Sequence, residues 1–205
     1  MKAKEKKDAS TQEKILSAAK KVFISKGMSG ARMQDIADEA GINKALLHYY
    51  FKNKEQLFEM IFREAAARVF PRINFIFESD VPLFEKIEQF TSQYITVMLE
   101  NPYLPLFVLN EINQDPHYFF DKVWAGNAPR PEKFLHQIEE EVRKGAIRNI
   151  SPVQLLMNLI SLCVFPFVAK PMFQLTTGID EWQFRSIMEQ RKTEIARFII
   201  DSIKK

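Results

Sequence analysis

Lys44, Ala45, His48 and Tyr49 are spaced so that, on a helix, they would share one face. Together they present an ammonium, a methyl, an imidazole and a phenol, groups that can meet acceptors, thymine methyls and phosphate oxygens along a DNA groove. The residues just before them explain how such a face would be aimed. In GINKALLHYYF (41–51), Gly41 suits the left-handed corner between two helices. Asn43 suits the cap of the second helix, whose first N–H groups can also face a phosphate. Ala37, four residues before the glycine, is small enough for the two helices to pack closely. The spacing predicts a helix-turn-helix in which Leu47 and Tyr50 face inward and residues 44, 45 and 48 face outward. Arg32 and Gln34, at the start of the first helix, and Lys54, at the start of the next one, would hold flanking phosphates.

Other chemistries find little material. His48, His117 and His136 are scattered, no Ser, His and Asp arrangement or His-x-x-x-His spacing occurs, and the six glycines form no phosphate loop. An enzyme is not expected, nor a metal or other cofactor. Cys163 stands alone in an apolar segment, which excludes an internal disulfide and suits a reducing compartment. With no apolar run long enough for a signal or a membrane span, the expectation is a cytoplasmic protein that does not enter a membrane.

The +3 net charge conceals an asymmetry. Residues 1–54 hold twelve lysines or arginines against six acids, and residues 55–205 hold seventeen against twenty. The basic first quarter therefore suits a polyanion partner. Lys2, Lys4, Lys6 and Lys7 read as a solvated tail ahead of it.

The elements that must position this face are helical throughout, because apolar residues recur at three and four rather than alternating. The first helix is predicted from about Ser10 or Thr11 to Gly27, followed by Met33–Ala40, Lys44–Tyr50, and a fourth from Lys54 that ends or bends at Pro71. Further helices are expected up to about Glu100, from about Leu104 to Gln114, from Pro116, and over Glu132–Lys144. A long apolar helix from Pro152 to about Met172, kinked at Pro166, precedes a last one from Asp180 to Ile203. The fold class is all-α: an N-terminal three-helix DNA-binding unit (1–54), then a C-terminal helical effector-binding and dimerisation domain (55–205).

Residues 33–58, MQDIADEAGINKALLHYYFKNKEQLF, resemble the N-terminal signature of the TetR family of bacterial transcriptional regulators, and EKILSAAKKVFISKG (13–27) resembles that family's first helix. Carried over by position, Lys44, Ala45, His48 and Tyr49 fall where the family reads or braces DNA, and Lys54 where it grips a phosphate. Leu46 and Met33 stand where hydroxyl residues are frequent, so side-chain phosphate contacts are not expected there.

A single reading helix spans too few base pairs to define one genomic site, so a homodimer on a palindromic operator of double-stranded DNA is expected. The resemblance places the dimer interface on the last two long helices, whose apolar faces exceed what a small core requires; Leu155, Leu159, Phe184, Met188 and Ile195 are its candidates, with a purely intramolecular core as the competing reading. It also implies a pocket for an unidentified small-molecule effector among the middle helices. Phe77, Phe90, Tyr94, Met98, Phe107, Trp124, Met157 and Phe165 would supply an apolar lining and Glu111 a polar orienting group, with plain core packing the competing role of each apolar residue and solvent exposure that of Glu111. The implied function is a repressor released by an apolar or amphipathic ligand. The alternative is a DNA-binding dimer governed by a protein partner, or an activator.

Overall fold

The computed structural model describes the backbone of residues 2–102, 104–114, 116–118 and 128–205, and within these helices the side chains other than those of residues 2–9, 28, 68, 107, 110, 111, 114 and 118. The described residues form eleven helices in chain order. The all-α expectation holds, and the pairing of Ile147 with Lys204 is an isolated bridge. The chain divides into two compact units, one formed by residues 1–67 and 107–126, the other by 68–106 and 127–205.

In the first unit, α1 (Lys2–Gly30) begins eight residues earlier than its sequence cap suggested. Ala3, Lys4, Glu5, Lys6 and Lys7 are good helix formers with no glycine or proline among them, so the turn propagates past Ser10. Gly27, at φ 69° and ψ 171°, breaks it as expected. Ile15, Ala19 and Phe23 lie buried on one face of α1, and Phe23 meets Phe58 edge-on with centroids 4.9 Å apart. The short α2 (Met33–Ala40) and α3 (Lys44–Tyr50) match the sequence reading residue for residue. Asp35 fastens α2 to the end of α1: it accepts the Arg32 N–H at 3.1 Å and pairs with Lys26 at 2.9 Å. The Lys26 ammonium holds its carboxyl below the usual value.

α4 (Lys54–Glu78) does not end at Pro71 but continues two turns beyond it. Proline removes one hydrogen bond, the one Ala67 would accept, and Ala67 is where the two units divide. The helix ends where the buried Lys86 donates to the carbonyls of Phe77 (3.1 Å) and Ser79 (2.8 Å), satisfying acceptors that a helix terminus leaves free. Desolvation lowers the Lys86 pKa.

The second unit is built on α5 (Leu83–Glu100), which packs on α11 (Glu181–Ile203) and α9 (Pro152–Val168), with α8 (Glu132–Arg143) against α9. Thr91 of α5, fully buried, donates to the Lys192 carbonyl of α11 at 2.9 Å. Phe77 stacks on both Phe90 and Phe134, its centroid 5.2 Å from each. Asp180 and Gln183 form a reciprocal capping box that starts α11.

The long apolar helix breaks at Ala169 rather than at Pro166. Its second part, α10 (Lys170–Thr177), turns away from α9 by 65°. Pro166 sits inside α9, whereas Pro171 occupies the first turn of α10, where a missing N–H costs nothing. Of the remaining helices, α6 spans Leu104–Gln114 and α7 Pro116–Tyr118. Among the described residues no single helix is long and apolar enough to cross a membrane.

Candidate nucleic-acid interface

The corner between α2 and α3 has the geometry its residue types predict. Gly41 adopts φ 64° and ψ 36°, its N–H reaches the Asp38 carbonyl at 3.1 Å, and the Ile42 N–H reaches the Ala37 carbonyl at 3.0 Å. A Cβ placed on Gly41 would meet no atom within 4 Å, so glycine is required there for its backbone conformation and not for space. Asn43 then caps α3 by accepting the Leu46 N–H at 2.7 Å. Ile36, Ala37 and Leu47 are fully buried beneath the corner, which fixes the rotation of α3.

With Leu47 inward, Lys44, Ala45, His48 and Tyr49 are all exposed. Tyr49 is the most open, at 79% of its full area, and stands edge-on to the ring of Tyr50. The His48 ring is oriented by its Nδ1–H, which donates to the Lys52 carbonyl at 3.2 Å. That tautomer leaves Nε2 as an acceptor when the ring is neutral and as a second donor when it is protonated. Leu46, from which no side-chain phosphate contact is expected, is a partly exposed apolar side chain.

The flanking candidates differ in how freely they can act. Arg32 is exposed, with its backbone held by Asp35. Gln34 is exposed too, but its amide donates to Asp38 at 2.8 Å. Lys54 is half-buried and its ammonium reaches the Ala31 carbonyl at 3.4 Å, which ties the start of α4 to the segment before α2. Lys52, which the sequence reading passed over, is exposed in the turn between α3 and α4. Its N–H is received by Gln56, while Asn53 receives the Gln56 N–H. The Asn53 to Gln56 spacing is a helix-start signal that would have marked this turn as ordered.

Of the C-terminal candidates, Leu155, Leu159, Phe184, Met188 and Ile195 are at most 3% exposed and belong to the second unit's own core, Phe184 and Met188 also bordering a groove. The exposed apolar residues of the same helices are Val153, Met157, Ile160 and Phe165 on α9, and Trp182, Ile187 and Phe198 on α11. Each of these helices carries both a buried and an exposed set of apolar side chains, so total apolar content alone does not separate core from surface.

Among the effector-lining candidates, Phe77, Phe90 and Met98 are buried, with Phe77 and Phe90 inside the aromatic stack. Tyr94 stacks on Phe90 at 5.3 Å, and desolvation pushes its phenol pKa far up. Met157 and Phe165 are more than half exposed. Trp124 and the side chains of Phe107 and Glu111 lie outside the described residues. Among the grooves on the second unit's surface, one of about 740 Å³ runs between α4 and α5 past Arg72, Phe75 and Glu88, and another of about 550 Å³ lies among α9, α10 and α11 and is bordered by Phe165. Among the described residues, no cluster of three or more histidine, cysteine or acidic side chains is placed to hold a metal.

Residues 15–61 match the family described as bacterial regulatory proteins, tetR family. The HTH-type transcriptional repressor KstR2 of Mycolicibacterium smegmatis is 25% identical over 158 residues, covering 74% of this chain and 75% of that protein. The probable HTH-type transcriptional regulator YttP of Bacillus subtilis is 42% identical over 55 residues, 27% of each chain. In three dimensions, the ketosteroid transcriptional regulator KstR2 of Mycobacterium tuberculosis superposes with a TM-score of 0.65 over 95% of each chain, at 14% identity, a likeness of fold.

Proposed function

We propose that the chain, whose residues 15–61 match the family of bacterial regulatory proteins, tetR family, is a transcriptional repressor of that family that binds a palindromic operator as a homodimer and leaves it when a small apolar or amphipathic ligand occupies the C-terminal unit. The observation that carries this reading is the Gly41 and Asn43 corner, which buries Leu47 and leaves Lys44, Ala45, His48 and Tyr49 together on an open helix face. Such a face enters a major groove by its N-terminal end, with the positive end of the helix toward the phosphates.

In this reading Lys44 donates to a guanine edge or phosphate, Ala45 meets a thymine methyl, and His48 and Tyr49 reach base edges or backbone oxygens. Arg32, Lys52 and Lys54 neutralise flanking phosphates, while Gln34 and Asn43 brace the turn. Dimerisation uses the exposed apolar side chains of α9 and α11, of which Met157, Ile160 and Phe198 are representative. A ligand that weakens operator binding a hundredfold must prefer the non-binding arrangement by about 2.7 kcal/mol. Burial of one large apolar group, worth about 1.5–3 kcal/mol, is enough. Operator binding assigns the chain to the cytoplasm.

Selection of duplexes from a random pool by the purified chain tests the proposal. A palindrome with half-sites about one helical turn apart is expected. Lys44→Met should weaken binding and relax base preference at a symmetric pair of positions. Failure to enrich any duplex in low salt would refute the assignment.

A further inference from the structure

The 550 Å³ groove among α9, α10 and α11 differs in kind from the aromatic core beside it. Phe165, Phe173, Ile179 and Ile187 form apolar walls, and Arg191 contributes a cation. One guanidinium Nη donates to the Leu162 carbonyl at 3.2 Å. The Nε–H is shielded from solvent and has no acceptor, and among the described residues no carboxylate pairs with Arg191. The shielded Nε–H is closed to an occupant of the groove as it is to water, so the donors left for a ligand are those of the guanidinium edge that lines the groove, a planar fork matched to a carboxylate. The nearby Cys163 thiol, which burial pushes up to about 12, stays neutral and cannot serve as the counter-ion. Ser161 and Thr177, also on the rim, already donate to the Asn158 and Phe173 carbonyls.

We infer that this groove binds a small monocarboxylate with an apolar tail, its head on Arg191 and its tail along Phe165, Phe173 and Ile187. The inference rests on the effector-controlled reading above and gives that effector a chemical class and a place. The volume lies within the range usual for small-molecule sites. Two of the walls, Phe165 and Ile187, belong to helices whose exposed apolar side chains are proposed to meet the second copy. An occupant here therefore acts next to the surface that sets the spacing of the two reading helices.

The test is calorimetric titration of the purified full chain, without DNA, using decanoate, octanoate and decanol below their aggregation thresholds. Decanoate should bind, and tighten about fourfold for each methylene added from octanoate. Decanol, and decanoate on Arg191→Met, should bind about 10- to 150-fold more weakly, the value of a charge-assisted hydrogen bond. Arg191→Lys should recover part of the loss, and if Arg191→Met fails to fold by circular dichroism, the decanol comparison and Arg191→Lys decide.

Equal binding of decanoate and decanol, unchanged binding to Arg191→Met, or no decanoate binding overturns the inference. So does decanoate binding that vanishes as protein concentration rises, because a second copy then fills the groove. Operator release is read separately by fluorescence anisotropy. Decanoate bound through Arg191 with the operator complex intact upholds the site and defeats the effector reading. A groove indifferent to decanoate in a protein released from DNA by some other ligand does the reverse.

Discussion

Replacing Lys54 with methionine separates a phosphate contact from a base contact by its dependence on salt. Lys54 is half-buried at the first turn of α4 and its ammonium reaches the Ala31 carbonyl at 3.4 Å, so it is held against the segment that leads into α2. Methionine keeps most of the apolar stem and removes the charge. Losing the long, partly exposed hydrogen bond should cost under about 1 kcal/mol, and the fold should survive. In a symmetric dimer each substitution removes two cations from the DNA interface. With a slope of about 0.9 per neutralised phosphate, log affinity against log salt should flatten by about 1.8. Between about 50 and 200 mM salt, the ratio of parent to variant affinity should therefore shrink about twelvefold. Fluorescence anisotropy on the selected operator and on a scrambled duplex measures both slopes, and the loss should be the same on each. An unchanged slope, or a loss confined to the selected operator, would refute the phosphate role and move Lys54 into base reading or into support of the fold.

Asn43→Ala removes the acceptor for the Leu46 N–H and should lower stability by about 1 kcal/mol, or about 2–4 °C in a thermal melt, while Asn43→Asp should stay near the parent. Asp35, whose pKa the Lys26 ammonium lowers, stabilises the first unit above the ordinary carboxyl range and loses that contribution as pH falls through its depressed value. Asp35→Asn should therefore flatten the acid decline of stability below about pH 4, seen by circular dichroism, and a parallel decline in both proteins would contradict the pairing. Leu159→Ala, at a fully buried site, should cost about 2–5 kcal/mol, whereas Met157→Glu, at a site 57% exposed, should leave the helical signal intact and shift sedimentation toward the monomer. A Leu159→Ala protein that is stable but monomeric would reverse that assignment.

The fate of these residues shows which parts of the molecule local chemistry can specify. The α2 and α3 corner was legible because its determinants lie within about ten residues: a left-handed glycine, a capping asparagine four residues before a buried leucine, and a small residue beneath. Each constrains backbone geometry directly, and together they leave α3 little freedom of rotation. α9 is different. Leu155, Leu159 and Cys163 form a stripe at intervals of four, while Val153, Met157, Ile160 and Phe165 form a second stripe of the same chemistry. Periodicity finds both and cannot say which one meets α5 and α11, because that depends on partners far away in the chain. The cap and proline signals were similarly conditional. Ser10 could cap a helix, yet nothing upstream opposed helix, so α1 continued to Lys2; Pro71 could end α4, yet the loss of one hydrogen bond did not end it. Arg191 was invisible to sequence reading for the converse reason. On paper it is one of three arginines in a charged helix, and it becomes singular only when α9 and α11 fold around it and leave its Nε–H without an acceptor.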